Sequence, residues 1–206
     1  MTKKELLLKI KGDNVRILHL QFSDLHGEIK EVIIPSNKLD DSLEKGIWFD
    51  GSSVEGFTRI YESDLYLKPD LTTYSIFPWV DKGIREARII CDIYTSQGRL
   101  CETGPRNILK KNLEKLKKYK YEFKVGAEIE FYIFKNVDNN YNLTYLDSSG
   151  YFDLSTKEGD EFISRVIETA AQFDINIEAA HHEVGNSQFE IDFQYDSADK
   201  IADRIL

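Results

Sequence analysis

The apolar positions of this chain change period several times, and each change predicts an element. Leu6, Leu7, Leu8 and Ile10 within Glu5 to Lys11 predict a short helix stopped by Gly12. Val15 to Phe22 is strand-like, Ser23-Asp24-Leu25-His26-Gly27 has turn chemistry, and Glu28 to Ile34 reads as the return strand. Pro35-Ser36 followed by Leu39, Leu43 and Gly46 predicts a short capped helix. From Phe49 to Glu62 no period is sustained, and a long loop is expected there. Leu65 to Leu67, Thr73 to Phe77 and Ala87 to Tyr94 are further strand candidates, so the first block predicts a small sheet with a helix packed on it. Pro105 can open a helix over Asn107 to Tyr119. Beyond it come a strand at 124–134, a polar loop at 135–150 and an aromatic turn, Tyr151-Phe152-Asp153. A helix at 161–173, strands at 176–183 and 188–195, and a last helix from Ala198 to Leu206 complete the pattern.

Composition narrows the possibilities. A chain of 206 residues with 41% apolar and 12% aromatic residues has enough material for a packed core. Its formal charge of -9 argues against general binding to a nucleic-acid backbone. It leaves ATP possible where metal ions mediate the phosphate contact. No apolar run approaches the length of a membrane span, and the N-terminus lacks signal-peptide features, so a cytoplasmic protein is expected. Cys91 and Cys101 form no C-x-x-C pair, and Cys91 reads as a small core residue. The lysines at 110, 111, 115, 117 and 118 read as a solvated helix face.

The candidate chemistry lies in four glutamates. Glu128 and Glu130 project from one face of a strand, because side chains alternate. Glu183 and Glu190 are seven apart, which would oppose them on an unbroken strand. A hairpin at Gly185-Asn186-Ser187 brings them back as cross-strand neighbours, where they could converge with the first pair. Such a face fits either a solvated sheet surface or a divalent cation site; oxygen ligands favour Mg2+ or Mn2+ over zinc. His181 and His182 face opposite ways, so both cannot be ligands, and a structural or supporting role is expected of each.

Glu128-Ile129-Glu130-Phe131 with His181-His182-Glu183 and Gln188-Phe189-Glu190 resembles the metal-binding strands of type I glutamine synthetase. Phe49-Asp50-Gly51-Ser52-Ser53-Val54-Glu55-Gly56-Phe57 and Glu62-Ser63-Asp64 resemble that family's ammonium-site loop. Phe22-Ser23-Asp24, Pro69-Asp70 and Phe77-Pro78-Trp79 are similar to its N-terminal domain, and Gly104-Pro105-Arg106-Asn107 to the start of its catalytic domain. The resemblance implies an α+β chain. A small β-grasp-like domain at 1–103 carries the ammonium loop, and 104–206 is the first part of a catalytic domain, an antiparallel sheet with flanking helices. It implies ATP-dependent ligation of ammonia to glutamate through a γ-glutamyl phosphate.

By the same resemblance, Glu130, Glu183 and Glu190 match ligands of one metal and Glu128 a ligand of the second. Glu178 matches a nucleotide-site carboxylate, Asp50 the residue that binds ammonium and takes its proton, and Ser53 a neighbour of that site. Asp192 shares a face with Glu190 by spacing but matches no ligand of the family. The implied cofactors are two Mg2+ or Mn2+ ions per complete site, with ATP as co-substrate. The implied assembly is a dodecamer of two hexameric rings, with no nucleic acid or membrane partner. Gly185-Asn186-Ser187 stands where relatives often have Ala-Pro-Gly, and Phe189 where His or Asn is common. The family's remaining site residues lie beyond this match, so the chain is expected to be a fragment and inactive alone. A ligase for an organic amine and a short non-enzymatic paralogue are the alternatives.

Overall fold

The computed structural model describes residues 1–57, 63–80, 83–136 and 143–206. They form two compact units: Met1–Phe123 with Ser197–Leu206, and Lys124–Asp196. Among the described residues no helix is long and apolar enough to cross a membrane.

The first unit contains helices α1 (Lys3–Gly12) and α2 (Leu39–Lys45) and strands β1 (Val15–Ser23), β2 (Ile29–Pro35), β3 (Ile47–Asp50), β4 (Asp64–Pro69), β5 (Ser75–Ile76) and β6 (Arg85–Thr95). Helix α3 (Pro105–Lys118) follows, and α5 (Ala198–Ile205) returns to the same unit. The sheet order is β2-β1-β6-β4-β3, with β5 also on β6. The β1–β6 pair is parallel and the other pairs are antiparallel. Alternation sorts the faces: Leu18, Leu20 and Phe22 of β1 join Ala87, Ile89, Cys91 and Ile93 of β6 in the core, closed by Leu6, Ile10 and Leu39 from the helices. Burial in this core pushes the Cys91 thiol well above its ordinary range, as expected of a packing residue.

Several boundaries differ from the pattern-based reading, each for a local reason. A capping box between Thr2 and Glu5 starts α1 earlier than Glu5. Gly12 stays helical, and Asn14, at φ +55°, makes the left-handed turn instead. Phe49 and Asp50 end a strand rather than open a loop, since Asp50 pairs with Asp64; residues 58–62 of that loop lie outside the described residues. The Asp70 carboxylate accepts from Thr72 N (3.2 Å) and Thr72 Oγ1 (2.7 Å), building a 3-10 turn that shortens the Thr73–Phe77 strand to Ser75–Ile76. Pro105 occupies the first turn of α3, as its missing N–H permits.

The α3 lysines are not all solvated. Lys110 reaches Asp92 (2.8 Å) and Asp70 (3.3 Å) beside the Arg106 guanidinium. Arg106 bonds Asp203 through Nε (2.8 Å) and Nη2 (2.7 Å), Asp70 through Nη2 (2.8 Å), and Asp92 through Nη1. Burial pushes Asp70 up, but Arg106 and Thr72 hold its carboxyl well below the usual range. This hub ties α3, β6, the end of β4 and α5 together.

The second unit contains β7 (Lys124–Val125), β8 (Glu128–Tyr132), β9 (Phe134–Asn136), β10 (Leu143–Tyr145), α4 (Lys157–Gln172), β11 (Ile177–His182) and β12 (Gln188–Phe193). The expected strand at 124–134 is three strands, interrupted at Gly126-Ala127 and at Ile133. The expected polar loop contains β10, which pairs with β9 and packs Tyr145 on Phe134 (5.5 Å between centroids). Residues 137–142 lie outside the described residues. Thr156 caps α4 by accepting from Gly159 N, so the helix begins at Lys157 rather than 161. The β11-β12-β8 sheet is antiparallel throughout. Phe131 packs on Phe162 of α4 (5.9 Å) and on Phe189 (6.1 Å), forming the apolar face.

Candidate metal centre

Register decides what the opposite face of that sheet carries. Glu190 of β12 lies between His181 of β11 and Glu130 of β8. Asp192 lies between Ala179 and Glu128. Cross-strand partners share a face, so Glu128, Glu130, His181, Glu190 and Asp192 line one side while Phe131, Phe189 and Ile191 line the other. Glu183 follows the last residue of β11 and pairs with Gln188 through Glu183 N to Gln188 O (2.8 Å). It is therefore a diagonal rather than direct neighbour of Glu190, whose cross-strand partner is His181. Glu178 is exposed at the irregularity between Ile177 and Ala179.

The face is electrostatically unbalanced. Removal from water, with Glu183 and Asp192 close by, pushes the Glu190 carboxyl up to about 7. Ligand atoms of His181, Glu190 and Asp192 lie within 4.8 Å of one another. Glu128, Glu130 and Glu183 share or border this face but do not join that cluster among the described residues. Glu130 instead accepts from Gln188 Nε2 at 2.7 Å. Asp192 Oδ1 is buried and has no hydrogen-bond partner among the described residues. An orphaned carboxylate oxygen beside a carboxyl held back from ionising fits a divalent cation: oxygen donors suit Mg2+ or Mn2+, and the ion would relieve the repulsion.

The turn carrying Glu183 and Glu190 is fixed from behind. Ser187 sits at φ +57°, a conformation that favours glycine. Its Oγ accepts from Asp147 N (2.9 Å) and donates to Asp147 O (3.1 Å). The Asp147 carboxylate also faces His182 Nε2 (2.8 Å) and accepts from Ser155 Oγ (2.9 Å). Burial pushes Asp147 up, but His182 and Ser155 bring it below its ordinary value. His182 thus serves the hairpin from the apolar side, next to Phe189 (4.9 Å between centroids). The Phe189 departure from the family pattern lies on that buried side. Nothing in the spacing of Asp147, forty residues before Ser187, signals this link.

Asp50 stands at the end of β3, exposed, with its carboxylate accepting from Ser52 Oγ (2.7 Å), Ser52 N (2.9 Å) and Ser53 Oγ (3.3 Å). The Ser52 bonds lower its carboxyl below the ordinary value, keeping it anionic. Gly51 permits the turn: a Cβ there would fall 2.4 Å from Leu65 Cδ1. Ser53 is also exposed.

Two family models match this architecture, the glutamine synthetase beta-Grasp domain over residues 14–96 and the glutamine synthetase catalytic domain over 102–206. The chain belongs to the glutamine synthetase family. It is 43% identical to the glutamine synthetase of Thermotoga maritima over 205 residues, covering 98% of this chain and 47% of the relative. It is 41% identical to that of Methanococcus voltae, covering 100% of this chain and 48% of the relative. A cryo-EM structure of Plasmodium falciparum glutamine synthetase superposes with a TM-score of 0.85 at 26% identity, over 98% of this chain and 46% of that one. The chain therefore spans about half the length of the relatives it matches. Its β-grasp sheet and the start of a catalytic domain are the family's fold, as the motif series implied.

Proposed function

We propose that, in a protein of the relatives' full length, this chain serves ATP-dependent ligation of ammonia to L-glutamate, giving glutamine, ADP and phosphate through a γ-glutamyl phosphate. The observation that carries the reading is the acidic face of β8, β11 and β12 within a segment matched by the family's catalytic domain. On this reading Glu130, Glu183 and Glu190 hold one Mg2+ or Mn2+ and Glu128 contributes to a second. Bound divalent cations supply charge neutralisation for phosphoryl transfer to an anionic acceptor. Gln188 Nε2 orients the Glu130 carboxylate through its 2.7 Å bond. Glu178 contacts the nucleotide. Asp50, kept anionic by Ser52 and neighboured by Ser53, attracts ammonium and takes its proton, as suits a carboxylate facing a cation.

The division of labour falls at 103/104, with the ammonium loop before it and the metal glutamates after it. The working form is a cytoplasmic homo-oligomer, a dodecamer of two hexameric rings, and the 206-residue polypeptide alone forms no glutamine. The test is a full-length enzyme assayed with ammonium and with small organic amines. Faster glutamine formation, severely reduced by Glu130→Ala, supports the proposal. Faster formation of γ-glutamyl amides overturns it.

A further inference from the structure

The turn between β1 and β2 meets the segment that leads away from Asp50. Asp24 is buried and accepts from His26 N (2.9 Å), Glu28 N (3.0 Å) and Lys30 Nζ (3.2 Å). Those bonds fix the turn that carries Leu25, whose side chain lies on Gly56. A Cβ on Gly56, where φ is +80°, would fall 1.9 Å from Leu25 Cδ1, so both the close approach and the backbone require glycine. His26 and Glu55 also meet, at 3.3 Å, but both side chains are exposed and the pair adds little.

A second anchor comes from beyond β6. Phe57 is buried with its ring 6.1 Å from that of Phe22, and its carbonyl oxygen accepts from Thr103 Oγ1 at 2.9 Å. The single hydroxyl proton of Thr103 is used in that bond, so its oxygen accepts from Cys101 Sγ (3.2 Å). Cys101 N donates to Ile93 O of β6 (2.9 Å), and Cys101 O accepts from Asn107 Nδ2 of α3 (3.0 Å). From Phe57 the backbone carries the tie back: Phe57 N donates to Val54 O (3.3 Å), and Val54 N to Gly51 O (3.2 Å). Gly51 follows Asp50, and Ser52 and Ser53 inside this turn hold the Asp50 carboxylate.

We propose that Thr103 and Leu25 are positioning residues for Asp50: they clamp residues 54–57 at two points, so that the turn presenting the carboxylate keeps one shape. The proposal rests on the reading of Asp50 as the ammonium-site carboxylate. A group that takes a proton from a bound cation must stand within hydrogen-bond reach of it, and small misplacements slow the reaction steeply.

The test is steady-state kinetics of a full-length enzyme and its Asp50→Ala, Thr103→Val, Thr103→Ser and Leu25→Ala variants, with ammonium, glutamate and ATP varied in turn. Thr103→Val should lower kcat/KM for ammonium about fivefold, the ratio that follows from one lost hydrogen bond, and leave KM for glutamate and ATP unchanged. Thr103→Ser, which keeps the hydroxyl, should restore it. Leu25→Ala, at a half-exposed position that leaves folding intact, should act in the same direction. Normal ammonium kinetics in Thr103→Val and Leu25→Ala, with Asp50→Ala impaired, sink the proposal and leave the reading of Asp50 standing. A loss shared equally by all three substrates, or no restoration by serine, also sinks it, by making Thr103 purely structural. Normal ammonium kinetics in Asp50→Ala overturn the reading of Asp50 and the proposal with it.

Discussion

The two units treat carboxylates in opposite ways. In the first, Asp70, Asp92 and Asp203 surround Arg106, with Lys110 beside two of them, and nearly every charge has an opposite neighbour. In the second, five carboxylates at 128, 130, 183, 190 and 192 line or border one sheet face with no Lys or Arg ion pair among the described residues. Both groups are acidic by composition, and only the arrangement distinguishes them. A balanced cluster holds elements together and needs nothing from outside. An unbalanced one costs stability until a cation arrives, which is what a binding site requires.

Arg106→Met should produce the largest effect. It strands three partly buried carboxylates and should lower stability by about 3 kcal/mol or more, read by urea unfolding. Mn2+ affinity should be unchanged, because the hub lies in the other unit. A lost Mn2+ site with stability intact would break the contrast. Next comes the pH dependence of metal-free stability. The folded Glu190 carboxyl sits at about 7 against an ordinary 4.5, so the native state holds its proton more tightly. The contribution is fully present below about 4.5 and is lost as pH rises through about 7. Glu190→Gln should flatten that slope in melting curves; an equal slope would assign it elsewhere.

Ser187→Ala should cost about 1–2 kcal/mol in the same unfolding assay, by leaving Asp147 N and O without their partner. No loss would mean that Asp147 N and O find other partners once the Ser187 hydroxyl is gone. Lys117→Ala is the smallest: Lys117 is exposed and pairs with nearby, equally exposed Glu114, so neither stability nor metal affinity should change measurably. A clear change would show that the α3 surface does more than meet solvent.

Much of the fold was legible because period and punctuation agree locally. The β1–β2 hairpin, α3, and the β11–β12 hairpin all follow from alternation, Pro105 and the Gly185-Asn186-Ser187 turn. The acidic face was legible for the same reason, since Glu128 and Glu130 are two apart and a hairpin restores Glu190 to the side of Glu183. What was lost depends on distant partners. Arg106 reads as a boundary marker until Asp70, Asp92 and Asp203 close on it, and Asp147 carries no signal until Ser187 folds against it. The register between β11 and β12 set His181, not Glu183, opposite Glu190, because the pairing is fixed by the turn length. Asp192 had a signal, its two-residue spacing from Glu190, but the family pattern gave it no role.

The central claim is that the face of β8, β11 and β12 is a divalent cation site, and Mn2+ titration of the protein between about pH 5.5 and about pH 8 tests it most directly. The account predicts saturable binding whose affinity climbs as pH passes up through about 7, where Glu190 releases its proton. Absent binding, or an affinity indifferent to pH over that range, would contradict it.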